Sequence, residues 1–273
     1  MSNIEKSEEW ELLEARHNVE TGLSFFHTVL EGGYKRLPKA ETYRKTIIDF
    51  FRRMSKLERE TEAYMRKSEV YKGTMMYHGT PLRSIDAFVL FKFEEFMFGR
   101  KIELVPIERL EHSRNRVVFS IEGKNVTGLN ITDYDDYYLG SIPASIGWLS
   151  KLIYLALEGP FFTVPASIER LENLRMLNIS SPFFEEAPKR VFQLKNLTHL
   201  GLPRSNLSTL PENIDSLRNL KCIDIAHNQI TTLPSSLSNL PHLERLDLRG
   251  NKDLNVPTEL VSDLEKKGCT LIM

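Results

Sequence analysis

The sequence predicts an α/β chain in which a solenoid with a curved parallel β-sheet follows a helical N-terminal domain. Three observations carry that expectation. Residues 125–269 repeat one apolar pattern about six times, at steps of 22 or 23 residues with a longer first step of 26. A unit of that size cannot bury its own apolar edge and must stack on its neighbours. Aliphatic-proline pairs recur in register at Ile142-Pro143, Val164-Pro165, Leu210-Pro211 and Leu233-Pro234. Residues 1–100 instead carry apolar side chains at steps of three and four, the period of helices.

In chain order, residues 5–31 read as a first helix, with Leu12, Ala15, Val19, Leu23, Phe26 and Leu30 on one face and Gly32-Gly33 as its stop. A second helix runs from about 40 to 71 along the seam Tyr43, Ile47, Phe50, Met54, Leu57, Thr61, Tyr64, Ser68 and Tyr71. The two predict an antiparallel helix hairpin. The alternative is a homodimer through helix 40–72, which Thr61 and Ser68 at seam positions weaken. The remaining faces of this helix are basic (Lys45, Arg52, Arg53, Lys56, Arg59, Arg66, Lys67), with Glu58, Glu60, Glu62 and Glu69 as neighbours three or four residues away. Its aromatics lie on the seam and not among these charges, so base stacking is not supported.

Between 75 and 99 the chain is dense in phenylalanine (Phe88, Phe91, Phe93, Phe96, Phe98). This predicts a third helix capped by Thr80 or Ser84, with Pro81 in its first turn and Gly99 closing it. The stretch Tyr77-His78-Gly79-Thr80 resembles the opening of an ADP-ribosyltransferase site over four residues, with no strand pattern or glutamate context behind it. A loop that begins a helix is the fuller account. Residues 101–125 then supply short strands at Lys101–Val105 and Val117–Ile121 and a turn at Glu122-Gly123-Lys124-Asn125, a hairpin suited to cap the open end of a solenoid.

The repeats begin at Val126, Leu152, Leu174, Leu197, Leu220 and Leu243. Within each, positions four and six (Leu155 and Leu157, Leu177 and Ile179, Leu200 and Leu202, Ile223 and Ile225, Leu246 and Leu248) point one way, and three, five and seven the other. Leu260 and Leu264 complete a last helix, and Cys269 to Met273 supply an apolar edge strand that closes the far end. Residues 126–273 therefore form the solenoid with its C-terminal cap.

This segment resembles the leucine-rich repeat family in its roughly 23-residue form LxxLxLxxNxLxxLPxxLxxLxx, and is similar to cytosolic bacterial and archaeal proteins of that kind. The resemblance implies a right-handed solenoid whose concave sheet face binds a protein or peptide. On that face fall Tyr154, Glu158, Met176, Asn178, His199, Cys222, Asp224, His227, Arg245, Asp247 and Arg249. A second candidate lies in the edge loops. The first coil inserts Asp133-Tyr134-Asp135-Asp136-Tyr137-Tyr138, and tyrosine offers large contact area at small entropic cost. Coils two and three each carry Pro-Phe-Phe, which either forms an internal spine or stacks Phe161 and Phe183 outward beside those tyrosines. The ninth repeat position, where asparagine bonds the turning backbone, reads Pro160, Pro182, Ser205, Asn228 and Asn251.

Composition bounds the function. Among 273 residues, 27% charged, the net charge is −1, which gives no global argument for nucleic acid. Two cysteines make no disulfide framework, the start of the sequence is polar, and no run of 18 apolar residues occurs, so a reducing cytoplasmic setting without a membrane span is expected. There is no GxxxxGK[ST], GxGxxG, HExxH, GxSxG or CxxC, so no catalytic residue, cofactor or metal is assigned. His199, Cys222, Asp224 and His227 fall on adjacent strands but lack a ligand spacing. The sequence thus reads as a non-catalytic interaction or scaffold module. The alternative is an adaptor whose basic helix 40–72 meets an anionic surface, nucleic acid or lipid, while the repeats recruit a protein.

Overall fold

The computed structural model describes residues 73–96, 103–104, 117–132, 142–159, 161, 163–184 and 186–273. They belong to one compact unit, Met65–Met273, and a second unit covers Met1–Tyr64. The helices read at 5–31 and 40–71, Phe98 and the insertion at 133–138 lie outside the described residues.

The first described element is a two-stranded ribbon, β1 (Thr74–Tyr77) against β2 (Thr80–Arg83). Its two-residue turn is His78-Gly79, both with positive φ, 43° and 89°. That pairing is what a tight hairpin twist demands, and glycine meets it without strain. This corrects the expectation that Tyr77–Thr80 is a loop opening a helix with Pro81 in its first turn. Pro81 lies in β2 opposite Met76. With Tyr77 and Thr80 as the hydrogen-bonded closing pair, the next pair is the non-bonded kind, so the N–H that proline lacks is not missed. The helix α1 begins only at Ser84 and runs to Phe96.

Ribbon and helix sit on the first strands of the main sheet. Ala87, Val89, Leu90 and Phe93 of α1 are fully buried, and the Tyr77 ring stands edge-on to Phe119 and Phe91 at centroid distances of 5.4 and 4.9 Å. Two buried carboxylates of α1 hold the join. Glu94 accepts the Tyr77 hydroxyl at 2.6 Å and lies 2.9 Å from His78 Nε2. Asp86 accepts the Val126 N–H at 2.8 Å and the Arg83 guanidinium, and the Arg83 N–H in turn donates to the Lys124 carbonyl at 2.9 Å.

Among the described residues the main sheet has nine strands, which in chain order are β3 (Glu103–Leu104), β4 (Val117–Glu122), β5 (Asn125–Ile131), β6 (Tyr154–Glu158), β7 (Met176–Ser180), β8 (His199–Gly201), β9 (Cys222–Asp224), β10 (Arg245–Asp247) and β11 (Thr270–Ile272). They lie side by side in sequence order. Only β4 and β5 pair antiparallel, as the hairpin turning at residues 123–124; β5 through β11 are parallel throughout. Between strands the chain returns through short 3-10 helices at Ala144–Trp148, Ala166–Arg170, Lys189–Gln193, Glu212–Ser216 and Ser235–Asn239. Each starts directly after a proline (143, 165, 188, 211, 234), whose fixed φ suits a helix start and whose missing N–H would have had no partner there. The last return is the α-helix α2, Thr258–Lys266, with Leu260 and Leu264 inward.

Positions four and six of every coil from Leu155 to Leu248 are at most 2% exposed. Each such side chain contributes about 1.5–3 kcal/mol of burial, and none can do so without the coil beside it. Where the strands turn away from the sheet, one polar side chain in each of coils three to six closes the turn of the coil before it. Asn228 Oδ1 accepts the N–H groups of Ser205 and Leu207, both at 3.0 Å, while its Nδ2 donates to the Leu202 and Ile225 carbonyls, both at 2.9 Å. Asn251 does the same one coil on, accepting Ile230 N–H at 3.0 Å and donating to Ile225 and Leu248. The Ser205 hydroxyl accepts the Ser181 N–H at 3.1 Å, and the Ser181 hydroxyl donates to the Phe161 carbonyl at 2.6 Å.

That row corrects the assignment of Pro182 to the ninth position of coil three, because Ser181 fills it. The later coils place one left-handed residue before the closing side chain, at Arg204, His227 and Gly250. Coil three has no such residue, so its closing side chain arrives one position earlier.

Candidate binding face of the sheet

Strand alternation leaves three rows of side chains on the sheet face away from the leucine core. The first runs Gly128, Tyr154, Met176, His199, Cys222, Arg245, and the second Asn130, Ala156, Asn178, Gly201, Asp224, Asp247, as the pairing of successive strands fixes. Glu158 and Ser180 begin the third row. In the first row Gly128 is buried, Tyr154 to Cys222 are half-buried, and Arg245 is exposed. Small residues dominate the second row. A Cβ added at Gly201 would stand 3.0 Å from Asn178 Cγ, so the exposed Asn178 side chain lies across the gap that Gly201 leaves.

Electrostatics separate the two halves of this face. At the far end Asp247, 3% exposed, accepts Nε and Nη2 of Arg249 at 2.9 and 2.8 Å, with Arg245 Nη2 at 3.6 Å. The hydrogen-bonded Arg249 guanidinium holds the Asp247 carboxyl below the usual carboxylate range. Asp224, beside it in register, accepts the Ala226 N–H at 2.9 Å. Both arginine side chains remain more than half exposed, at 55% and 56%, and each keeps N–H donors facing solvent. Burial pushes the Cys222 thiol up, with nearby Glu244 adding to it, so this thiol stays protonated and a poor nucleophile. His199 Nδ1 lies 2.9 Å from the Thr198 hydroxyl, which itself donates to the Arg175 carbonyl.

The sign of the Asp247 shift fixes a pH dependence. A carboxylate whose folded pKa is depressed contributes stability that is present above about pH 4 and lost as pH falls through the folded value. Asp247→Asn is expected to lose about 1 kcal/mol at pH 7 and to flatten the acid limb of a urea-midpoint-versus-pH curve below about pH 4. An unchanged acid limb would assign the pH dependence elsewhere.

Of the other residues singled out in the sequence, Tyr154 and Glu158 are half-buried on the face. His227 sits at the strand-end turn with φ of 57°, exposed, its N–H donating to the Arg249 carbonyl at 2.6 Å. The outward stacking of Phe161 and Phe183 is corrected. Phe161 is 0% exposed and Phe184 3%, so these two enter the core, and Phe183 is the half-buried member of its pair. Counted from Leu174, Phe184 is the eleventh residue, the place that Leu207 and Ile230 fill in the next two coils, also buried. Tyr134, Asp135, Asp136, Tyr137 and Tyr138 lie outside the described residues. No group of three or more His, Cys, Asp or Glu side chains among the described residues is placed to hold a metal ion.

One feature escaped the sequence reading. On the edge where the chain enters each strand, Asn173, Asn196 and Asn219 donate to the carbonyls of Ser150, Glu172 and Lys195 at 2.7, 2.8 and 2.9 Å, tying each loop to the one before. Their signal was present in the sequence as Leu-x-Asn-Leu at residues 171–174, 194–197 and 217–220.

The leucine rich repeat family profile matches residues 195–252. No curated protein matches the chain. Among solved structures, a leucine-rich repeat protein of Leptospira interrogans aligns with TM-score 0.44 and 22% identity, over 66% of this chain and 51% of that one. The leucine-rich repeat domain of the type III effector XopL aligns with TM-score 0.40 and 27% identity, over 50% and 56%. The ectodomain of the receptor kinase SOBIR1 from Arabidopsis thaliana gives 0.45 and 24%, over 65% and 98%. The chain thus spans about half the length of the Leptospira protein. Over residues 195–252, where the stacked parallel strands and their closing asparagines lie, the chain is similar to the leucine-rich repeat family.

Proposed function

We propose that this chain is a non-catalytic binding module that takes an extended peptide or a protein surface on the open face of its sheet, in a reducing cytoplasm. The observation that carries this reading is the pair of rows from Tyr154 to Arg245 and from Ala156 to Asp247, whose side chains stand on strands paired on both sides, ready before any partner arrives. Binding to a face already in place avoids the entropic cost of ordering it. Among the described residues the exposed large hydrophobics are Met76 and Met273 alone, so the contact is polar at its rim, with Met176 and Tyr154 as its apolar centre. Both cysteines are free, which suits a reducing compartment. No helix among the described residues is long and apolar enough to cross a membrane.

The test uses the full chain as bait in native lysate. Changing Met176, His199 and Arg245 to alanine together, with Arg249 kept so that buried Asp247 retains its partner, is expected to lower capture of the main partner by about tenfold or more. Capture that survives this triple change at full strength would remove the open face from consideration.

A further inference from the structure

A second surface runs along the edge where the chain enters each strand, and it is basic. Lys151, Lys195, Arg218, Lys221 and Lys267 are exposed there, with Arg175 half-buried among them. Contiguity is set by hydrogen bonds from loop to loop: Asn173 to Ser150, Asn196 to Glu172, Asn219 to Lys195, and Arg218 Nη1 to the Asn239 carbonyl at 3.3 Å. Since neighbouring coils lie about 4.8 Å apart, the strip stretches across five coils and the C-terminal cap. Three of its cations bond to backbone carbonyls near the ends of the 3-10 helices, Lys195 to Phe192 at 3.0 Å, Arg218 to Asn239, and Lys267 to Ser238. That is where the partial negative charge of a helix end favours a cation. Each such bond uses one N–H and leaves the formal charge unneutralised. Of the six, only Lys221 has a carboxylate partner among the described residues, Glu244 at 2.8 Å, and Glu172 is the other acid in these loops.

We infer that this strip is an electrostatic docking site for an acidic, extended polypeptide segment, separate from the open face. The whole chain carries a net charge of −1, so the excess of positive charge is local and marks a place. The strip is one loop wide and continuous from loop to loop, the shape over which an extended acidic segment can lay successive carboxylates. It carries no aromatic ring on which a base could stack, with His242 as its only ring, which disfavours single-stranded nucleic acid. Charge pairs at such an exposed site act mainly through association rate and are screened by salt.

The probe is a fluorescein-labelled decaglutamate peptide, titrated with the full chain by anisotropy and compared with a neutral Gly-Ser peptide and a labelled oligothymidylate. The variant Lys151→Gln, Lys195→Gln, Arg218→Gln, Lys267→Gln removes four charges at exposed positions while keeping hydrogen-bonding side chains, and its melting curve checks that it folds. Decaglutamate affinity is expected to fall about tenfold or more in this variant, to fall steeply between about 50 and about 200 mM salt, and to stay within about twofold when Met176, His199 and Arg245 are changed instead. Decaglutamate affinity equal to that of the neutral peptide, affinity unchanged in the glutamine variant, or tighter binding of the oligothymidylate would each overturn the assignment. None of these outcomes touches the open-face reading, whose own triple variant is scored on a different ligand.

Discussion

Asn228→Ala is expected to destabilise the chain by about 3–4 kcal/mol, measured as a shift of the urea unfolding midpoint at constant slope. The side chain is 6% exposed and its amide serves two N–H groups and at least two carbonyls drawn from two different coils. Alanine leaves those groups buried without partners, and each stranded group costs roughly 1–3 kcal/mol, with some relief from relaxation. Serine offers a graded comparison, because Ser205 holds the same place one coil earlier and still accepts the N–H of Ser181. Asn228→Ser is therefore expected to lose only about half as much, since it restores an acceptor but not the forked donor. Equal losses for alanine and serine, or a loss under about 1 kcal/mol for alanine, would mean that the turn is held by the leucines around it.

Asp86→Ala is expected to cost about 3 kcal/mol and to expose the Val126 amide to solvent exchange. Asp86 is 0% exposed, accepts the Val126 N–H at 2.8 Å, and is the point at which α1 grips the first repeat strand. Asparagine keeps an acceptor for Val126 but gives up the ion pair with the one-third-exposed Arg83, so Asp86→Asn is expected to lose about 1 kcal/mol and to retain protection at Val126. Burial pushes the Asp86 carboxyl up despite the Arg83 and Val126 hydrogen bonds. A raised carboxylate pKa makes the folded state take up its proton before the unfolded chain does, so this group's contribution is largest below about pH 4 and declines as pH rises through the folded value. Its pH trend is opposite to that of Asp247. Val126 exchange that is unchanged in Asp86→Ala would show that the cap is held by its apolar contacts alone.

Alternation made the repeat strands legible from sequence, because a two-residue period in Leu155 and Leu157, or Ile223 and Ile225, admits one sheet face for the core. The hairpin of β4 and β5 was legible for the same reason, helped by its turn residues. What the sequence hid is a matter of competing local rules. Pro81 reads as a helix-start signal, yet the positive φ values needed at His78-Gly79 make the stretch a tight ribbon first. In coil three, counting positions from Leu174 puts Pro182 at the ninth place. Without a left-handed residue before the bend, the backbone reaches that place at Ser181, while the inward phenylalanine stays at the eleventh place, Phe184. Nothing local in the sequence marks Asp86, an acid in the first turn of α1, because its partner Val126 is 40 residues away. On the open face, alternation predicted which residues share it, but not that Asp247 would be buried under two arginines.

The closing side chains have a consequence for how such a chain can grow or shrink. Asn228 seals the bend of the coil that precedes it, so the natural unit of duplication is offset from the visible strand-and-return module and runs from one sealing residue to the next. A copied or deleted segment of 23 residues bounded that way inherits a matching seal on both sides, whereas one cut in mid-bend leaves a seam that no neighbour can close.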